Sequence, residues 1–389
     1  MSGPLPPRAF SAPTKIPKQE LQDELQAAVS SAVGGGSVKP YKKVVAMLIH
    51  FEQDDIGVIP LETELARTFN QYYGIDQIKR LEIPRKGEPV WVVQQALLEL
   101  HHLGYTEKNC LVILVFSGHG QSVEADRSDI RASSWTLLLS GAMANGLSLT
   151  KALNWNIATS ALDSSECDVV HILDCCYAAE ACNSNAEILC ASARGEETTK
   201  SLTTCFTLAL ITELRRLSSG PVTMGMVFSE IMLNRRSHGL LSTPFYHKKA
   251  QKDSVILPTK GRHGKNKAPQ TGPNSARILV TAHVDESLAR GNAEELKAWL
   301  TTMLPASVLG IDITLEGVWK SNSSIVMLSL PACVWSQLNH LNGAFTYIGE
   351  VTSRNHLLGW SAQGPALALR ASPAMGLENK KPGQSSTEK

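Results

Sequence analysis

The sequence predicts an α/β protein in which helices cover both faces of a mostly parallel sheet, followed by a smaller α+β module. Short apolar runs rich in β-branched residues recur along the first 258 residues, and such runs are typical of strands buried on both faces. Segments with helical apolar spacing alternate with them, which indicates a parallel sheet. Residues 259–275 hold Gly, Lys, Asn and Pro without apolar periodicity. They predict a linker between domains at 41–258 and 276–370.

The large domain opens with alternating strands and helices. Its strands are predicted over residues 44–49, 77–83 and 110–116, and its helices over 61–73 and 90–103. Gly74 and Gly104 follow these helices, where glycine is a common stop signal. The remaining predictions, in order, are a polar surface loop at 121–131, a strand at 135–139, a helix at 149–162, strands at 169–174 and 187–193, helices at 203–217 and 222–235, and closing extended segments at 243–245 and 254–258.

The C-terminal module repeats the alternation in a different order. We predict strands over 277–282, 308–318, 324–330 and 344–351, and helices over 293–304 and 331–341. This β-α-β-β-α-β order is typical of a ferredoxin-like α+β domain. Residues 1–40 and 371–389 are rich in polar residues, Pro or Gly and are predicted to be disordered, apart from an amphipathic turn around Leu21, Leu25 and Val29.

Charge and cysteine content restrict the function classes. Lysine plus arginine number 37 against 36 acidic residues, so the net charge of +1 gives no electrostatic case for nucleic acid or a membrane surface as partner. No apolar stretch approaches the roughly 20 residues of a membrane span, and no signal pattern opens the chain, so we expect a cytoplasmic protein. The eight cysteines lack metal-ligand spacing and favour a reducing compartment over a disulfide framework. No cofactor is predicted.

Two of the predicted strands end in residues that carry chemistry. His119 follows the strand at 110–116, and Cys176 follows the strand at 169–174. In an open parallel sheet, the carboxyl ends of the strands line the crevice where ligands bind. If the two strands are neighbours, the imidazole and the thiol face each other, and an imidazole is the base that a thiol nucleophile needs.

These two segments resemble the signature segments of the caspase-like cysteine peptidases, on the metacaspase and paracaspase side. Residues 116–120 read Phe-Ser-Gly-His-Gly and residues 173–176 read Leu-Asp-Cys-Cys. The histidine precedes the cysteine by 57 residues, against about 50 in caspases. The likeness covers residues 43–258 and implies a caspase-like three-layer sandwich. It also implies a peptidase of fungal type that acts in regulated cell death or signalling.

The resemblance implies a role for each matching residue. Cys176 matches the nucleophile and His119 the general base and acid, and the backbone N–H groups of Gly120 and Cys176 match the oxyanion hole. Asp174 matches an acid that binds a basic P1 side chain, Arg or Lys. A second such acid is expected near residue 61, and the adjacent Glu62 is the candidate for it.

Other interpretations stay open beside this one. After Cys176 the chain reads Tyr-Ala-Ala and so lacks the glycine that metacaspases carry in this turn. This departure favours a catalytically silent scaffold, in which residues 276–370 would bind a protein partner. A third interpretation is an enzyme of another class that uses a cysteine thiol. The acidic loop 52–55 is either solvated surface or a calcium contact. Cys175 and His171 are interpreted as packed core residues, and Arg194 and Lys200 as self-cleavage points.

Overall fold

The structure is a computed structural model. It describes residues 15–33, 41–107, 109–124, 135–181, 186–193, 195–198, 201–220, 222–248, 254–258, 277–286, 290–302, 313–320, 323–335, 337–338 and 344–351. Its strands are β1 (Lys43–Phe51), β2 (Gln77–Ile83), β3 (Cys110–Ser117), β4 (His119–Glu124), β5 (Trp135–Ser140), β6 (Met143–Ala144), β7 (Leu147–Ser148), β8 (Leu153–Asn154), β9 (Asp168–Asp174), β10 (Glu187–Cys190), β11 (Val222–Thr223), β12 (Phe245–His247), β13 (Ile256–Leu257), β14 (Arg277–Val284), β15 (Thr314–Lys320), β16 (Ser324–Pro331) and β17 (Phe345–Val351). Its helices are α1 (Lys18–Val33), α2 (Ile59–Tyr73), α3 (Pro89–Thr106), α4 (Trp155–Asp163), α5 (Phe206–Leu217), α6 (Met224–Leu233), α7 (Arg290–Thr302) and α8 (Ala332–Trp335).

A six-stranded, mostly parallel sheet forms the centre of the large domain. Its strand order is β12-β10-β9-β3-β1-β2, and only the edge strand β12 runs antiparallel to its neighbour. Every residue of β3 is buried, as expected for a central strand with both faces covered. The prediction of a mixed α/β protein with a mostly parallel sheet is confirmed.

Helices cover both faces of this sheet. Side chains alternate along its strands, so each face presents its own set of apolar residues to the helices. On one face, Leu48 and Ile113 pack with apolar residues of α2, α5 and α6. On the other face, Ile49 and Leu114 pack with α3 and α4. Helix α2 ends at Gly74, whose φ of 66° lies in the left-handed region that favours glycine.

The two strands that precede the predicted site residues are neighbours. In the register of β3 and β9, Ser117 lies opposite Asp174, so the residues that follow leave the sheet at one edge. At the other end of the same strands, Cys110 and Cys167 form a disulfide with a Cα–Cα distance of 5.0 Å. The expectation of reduced cysteines is wrong for this pair, because strand register brings together two residues that are distant in sequence.

The C-terminal module is built around a four-stranded antiparallel sheet. Its strand order is β15-β16-β14-β17, and each neighbouring pair is antiparallel. The element order β-α-β-β-α-β agrees with the prediction, although the second helix is described only over Ala332–Trp335. The linker at 259–275 and the tail at 371–389 lie outside the described residues.

The predicted disorder of the N-terminal segment is wrong for residues 18–33. These residues form helix α1, and Leu21, Leu25 and Val29 are fully buried in the core of the C-terminal module with Val280 and Leu328. Ile16 extends the sheet through a parallel bridge to Val284. Residues 18–33 alone have too little apolar surface to fold. The C-terminal sheet, about 250 residues further along the chain, supplies the apolar surface against which they pack.

Two further predictions differ from the structure. Residues 121–124 belong to strand β4, which pairs with β5, and not to a surface loop. Helix α4 begins at Trp155, later than predicted, because the Asn154 side chain accepts a hydrogen bond from the N–H of Ile157 and caps it. Among the helices that the structure describes, none combines the length and the apolar character that crossing a bilayer requires.

Candidate active site

The loops after β3 and β9 lie directly against each other. The N–H of Gly118 donates to the carbonyl of Asp174 at 3.2 Å. A Cβ atom at Gly120 would lie only 2.1 Å from the carbonyl oxygen of Cys176 and 3.1 Å from Cys175 Sγ, so only glycine permits this approach. This contact brings the backbone of Gly120 against the residues of the predicted nucleophile.

One solvent-open cleft of about 450 Å³ contains three of the predicted site residues, His119, Cys176 and Asp174. Its remaining described lining comes from α2 and the loop before it, from the end of β3 and Gly118, and from the start of α5 and the segment before it. These lining residues are Ile56, Val58, Leu61, Ser117, Gly118, Thr198, Ser201, Leu202, Cys205 and Thr207. The cleft therefore combines a thiol, an imidazole and a carboxyl group with walls that mix aliphatic and small polar side chains.

The Cys176 thiol is half-buried and lies against Thr198. The N–H of Thr198 donates to Cys176 Sγ at 3.2 Å, and the Thr198 hydroxyl oxygen lies 3.6 Å from the same sulfur. A main-chain hydrogen-bond donor is therefore aimed at the sulfur. The segment that carries Thr198 also covers one side of the sulfur.

Tyr177, the first residue after Cys176, has a positive φ although it is not a glycine. Its φ is 57°, a left-handed conformation that costs a non-glycine residue about 1 kcal/mol or more. Two hydrogen bonds hold it there: its N–H donates to the carbonyl of Glu196 at 2.9 Å, and its hydroxyl donates to the Glu197 carboxylate at 2.9 Å. The turn is thus retained without glycine.

His119 is 4% exposed and pairs with a residue that we did not predict as part of the site. Its Nε2 forms a hydrogen bond with Asp55 Oδ1, and Asp55 Oδ2 accepts from the N–H of Met143 at 3.2 Å. The sequence interpretation treated the loop 52–55 as surface or as a calcium contact. The position of Asp55 just after β1 was the available signal, since β1 pairs with β3 and ends at the same sheet edge.

The carboxyl group of Asp174 lines the cleft, and the residue is half-buried. Its Oδ2 accepts from both the N–H and the hydroxyl of Thr207, at 2.9 and 2.6 Å. Burial raises the pKa of Asp174 because it disfavours the charged form, and the hydrogen bonds from Thr207 oppose this shift. This carboxyl group is therefore protonated more readily than a solvent-exposed aspartic acid.

Glu62 does not reach the cleft, which corrects its prediction as a substrate-binding residue. It is 1% exposed, and its carboxylate lies 2.9 Å from His50 Nδ1. This contact with Glu62 raises the pKa of His50. Helix α2 turns Leu61 towards the cleft instead, so an aliphatic side chain stands where the second acid was expected.

Cys175 and His171 are buried in the core, in agreement with the structural interpretation. Burial raises the pKa of Cys175 well above its usual value, which keeps it a neutral thiol. Burial lowers the pKa of His171 to about 3, so its ring is neutral. The Trp155 indole N–H donates to His171 Nδ1 at 3.4 Å. Arg194 and Lys200 lie outside the described residues.

Carboxylates of the acidic loop 52–55 already accept hydrogen bonds from main-chain N–H groups. The Asp54 carboxylate accepts from the N–H groups of Ile56, Gly57 and Val58, and Glu52 accepts from the N–H of Arg85. Within the described part of the chain, no three His, Cys, Asp or Glu side chains are grouped so that they could hold a metal ion. Calcium binding stays a prediction.

Comparison with known proteins leaves the family open. No protein-family model matches the chain, and no curated protein sequence is significantly similar to it. Among solved structures, it is similar to the Drosophila initiator caspase Dronc, with 7% identity and a TM-score of 0.30, over 58% of this chain and 91% of that chain. A likeness this weak does not establish a common fold, so the function has to be argued from the cleft itself.

Proposed function

We propose that the protein is a cysteine endopeptidase whose residues 41–258 form a caspase-like domain. The observation that carries this proposal is the meeting of Cys176 and His119 in one cleft at the carboxyl ends of the neighbouring strands β9 and β3. Isolated cysteine and histidine residues at strand ends are usually structural. A half-exposed thiol and an imidazole in the same cleft form the pair that nucleophilic catalysis needs.

In the proposed reaction, His119 accepts the thiol proton and the Cys176 sulfur attacks the carbonyl carbon of the peptide. The developing oxyanion is bound by the backbone N–H groups of Gly120 and Cys176, whose segments are in contact. His119 then protonates the leaving amine, which leaves a thioester on Cys176. Water activated by His119 hydrolyses the thioester and restores the thiol.

We propose that the cleft accepts Lys or Arg as the P1 side chain. The aliphatic stem of either residue would pack against Leu61 and Leu202, since long basic side chains bury their stems along apolar surface. The cationic end would reach the half-buried carboxyl group of Asp174. One Asp174 oxygen already accepts two hydrogen bonds from Thr207, so a single point charge fits as well as a bidentate guanidinium does.

The test compares two adjacent cysteines. The full chain and its Cys176→Ala and Cys175→Ala variants are incubated with fluorogenic peptide amides carrying Lys, Arg or Asp at P1, with and without calcium. We expect turnover after Lys or Arg that is lost at least about 10³-fold in Cys176→Ala and is retained in Cys175→Ala. Turnover that survives in Cys176→Ala would refute the assignment of the nucleophile.

A catalytically silent scaffold is the second candidate function. The observation that favours it is the Thr198 segment, whose N–H and hydroxyl lie against the Cys176 sulfur. Under this alternative, no peptide is cleaved and an acyloxymethyl ketone does not label Cys176.

We further propose that residues 276–370 form a ferredoxin-like domain that binds a protein partner. The strand order β15-β16-β14-β17 supports the fold. The protein would act in signalling or regulated cell death.

A further inference from the structure

We infer that Asp55 is a positioning residue that sets the tautomer of His119 and thereby makes Nδ1 the proton acceptor for Cys176. The inference rests on the proposed function, in which His119 is the base. It adds a third group to the cysteine and histidine, and this group comes from the loop after β1. No sequence pattern around His119 or Cys176 points to it.

The tautomer follows from the chemistry of the contact. His119 Nε2 is hydrogen-bonded to Asp55 Oδ1, and an ionised carboxylate can only accept. Nε2 therefore carries the hydrogen and donates it. In a neutral imidazole the other nitrogen then holds a lone pair, so Nδ1 is the atom that can take the proton of the Cys176 thiol.

Asp55 is held in place from two sides. Its N–H donates to the carbonyl of Gly141 at 3.2 Å, and its Oδ2 accepts from the N–H of Met143 at 3.2 Å. A Cβ atom at Gly141 would lie 2.4 Å from Phe51 Cβ and 2.8 Å from the carbonyl oxygen of Gln53. The loop of Gly141 therefore packs closely on residues 51–53, and its main-chain contacts hold Asp55 beside His119.

The same carboxylate supplies a countercharge when His119 is protonated. The imidazole is 4% exposed, so little water is available to solvate an imidazolium, and a nearby anion offsets that cost. The Asp55 side chain is 39% exposed, which weakens the electrostatic effect by screening. Fixing the tautomer is therefore the larger part of its role.

Substitution by asparagine gives a sharp test because Met143 selects the amide orientation. In Asp55→Asn, the amide oxygen is expected to accept from the N–H of Met143, where Oδ2 does now. The NH2 group then faces His119 Nε2 and forces the hydrogen onto Nδ1, the wrong nitrogen. An Asp55→Ala side chain imposes no tautomer, so Asp55→Asn should be the more damaging change.

The experiment measures tautomer and catalysis on the full chain. Long-range ¹H–¹⁵N spectra of ¹⁵N-histidine-labelled protein at alkaline pH report which nitrogen of His119 carries the hydrogen, with His119→Gln identifying the signals. We expect Nε2–H in the unsubstituted protein and Nδ1–H in Asp55→Asn. For peptide hydrolysis we expect kcat to fall at least about 100-fold in Asp55→Asn and about 10-fold in Asp55→Ala, with KM changed less than about twofold.

The matched control is Glu52→Gln, which removes one carboxylate from the same loop. The Glu52 carboxylate accepts from the N–H of Arg85, a bond that the amide oxygen of Gln can keep, so this variant should keep both the tautomer and kcat. If peptides are cleaved and Asp55→Asn keeps kcat, the inference is wrong and the proposed function stands. If no peptide is cleaved, the proposed function fails, and an unchanged tautomer in Asp55→Asn would separately overturn the inference.

Discussion

At the scale of single residues, close backbone approach shapes the site as much as reactive groups do. Gly120 and Gly141 each allow two loops to touch at distances that a Cβ atom would prevent. Tyr177 shows the opposite solution, since a non-glycine residue occupies a left-handed position and is held by hydrogen bonds to the segment 196–197. The geometry of the cleft is therefore set largely by main-chain contacts.

Gly120→Ala tests the importance of this approach. The new Cβ atom would lie 2.1 Å from the Cys176 carbonyl oxygen, and because the opposing atom belongs to the backbone it cannot yield cheaply. We expect loss of peptide hydrolysis and a decrease of about 3 kcal/mol in the free energy of unfolding. Gly220→Ala is the control, because a Cβ atom there would meet nothing within 4 Å. Chemical denaturation measures the free energy of unfolding of both variants. Equal stability of the two variants would contradict the argument.

At the scale of elements, a buried polar cluster ties β10 to β12 and to the segment before β13. The Glu187 carboxylate accepts from the hydroxyls of Tyr246 and Ser254 and from the N–H of Val255. Gln337 of the C-terminal module donates to the Tyr246 hydroxyl at 3.2 Å. Burial raises the pKa of Glu187 to about 7, although its hydrogen bonds oppose the shift.

This pKa makes stability depend on pH. Between the ordinary pKa of 4.5 and about 7, folded Glu187 binds more protons than unfolded Glu187, so the free energy of unfolding falls as pH rises through this window. Above about pH 7 both states are ionised and the dependence ends. The Gln side chain in Glu187→Gln does not titrate, so this contribution to the pH dependence of the free energy of unfolding disappears. Calorimetry of both proteins at about pH 5 and 7.5 should show a larger loss of melting temperature in the unsubstituted protein; parallel losses would refute the assignment.

At the scale of the whole molecule, the segment that precedes the large domain folds with the module that follows it. Helix α1 packs on the C-terminal sheet, where Leu25 is fully buried. The two cores of the large domain and the core of the C-terminal module are thus formed by segments that interleave along the sequence. A truncation that starts the chain at β1 would remove a helix that stabilises the C-terminal module.

Leu25→Ala tests this arrangement. Removal of the buried side chain leaves a cavity, and we expect a decrease of about 3 kcal/mol in the free energy of unfolding of the C-terminal module. Glu20→Ala on the exposed side of the same helix should change it by less than about 0.5 kcal/mol. Hydrogen exchange of the amides of β14 and β16 reports the local unfolding. Unchanged protection in Leu25→Ala would mean that α1 does not stabilise the module.

Much of the architecture was readable in the sequence because it depends on local periodicity. Apolar runs such as those of β1 and β3, helix ends such as Gly74, and the placement of His119 and Cys176 after strands are all features of short segments. The tertiary structure alone decided which distant segments meet. It turned Glu62 to His50 and Asp55 to His119, joined Cys110 to Cys167, and ordered α1. Each of these depends on contacts between residues far apart in the chain, and the free energy that holds them comes from the packing of whole elements, which local sequence does not encode.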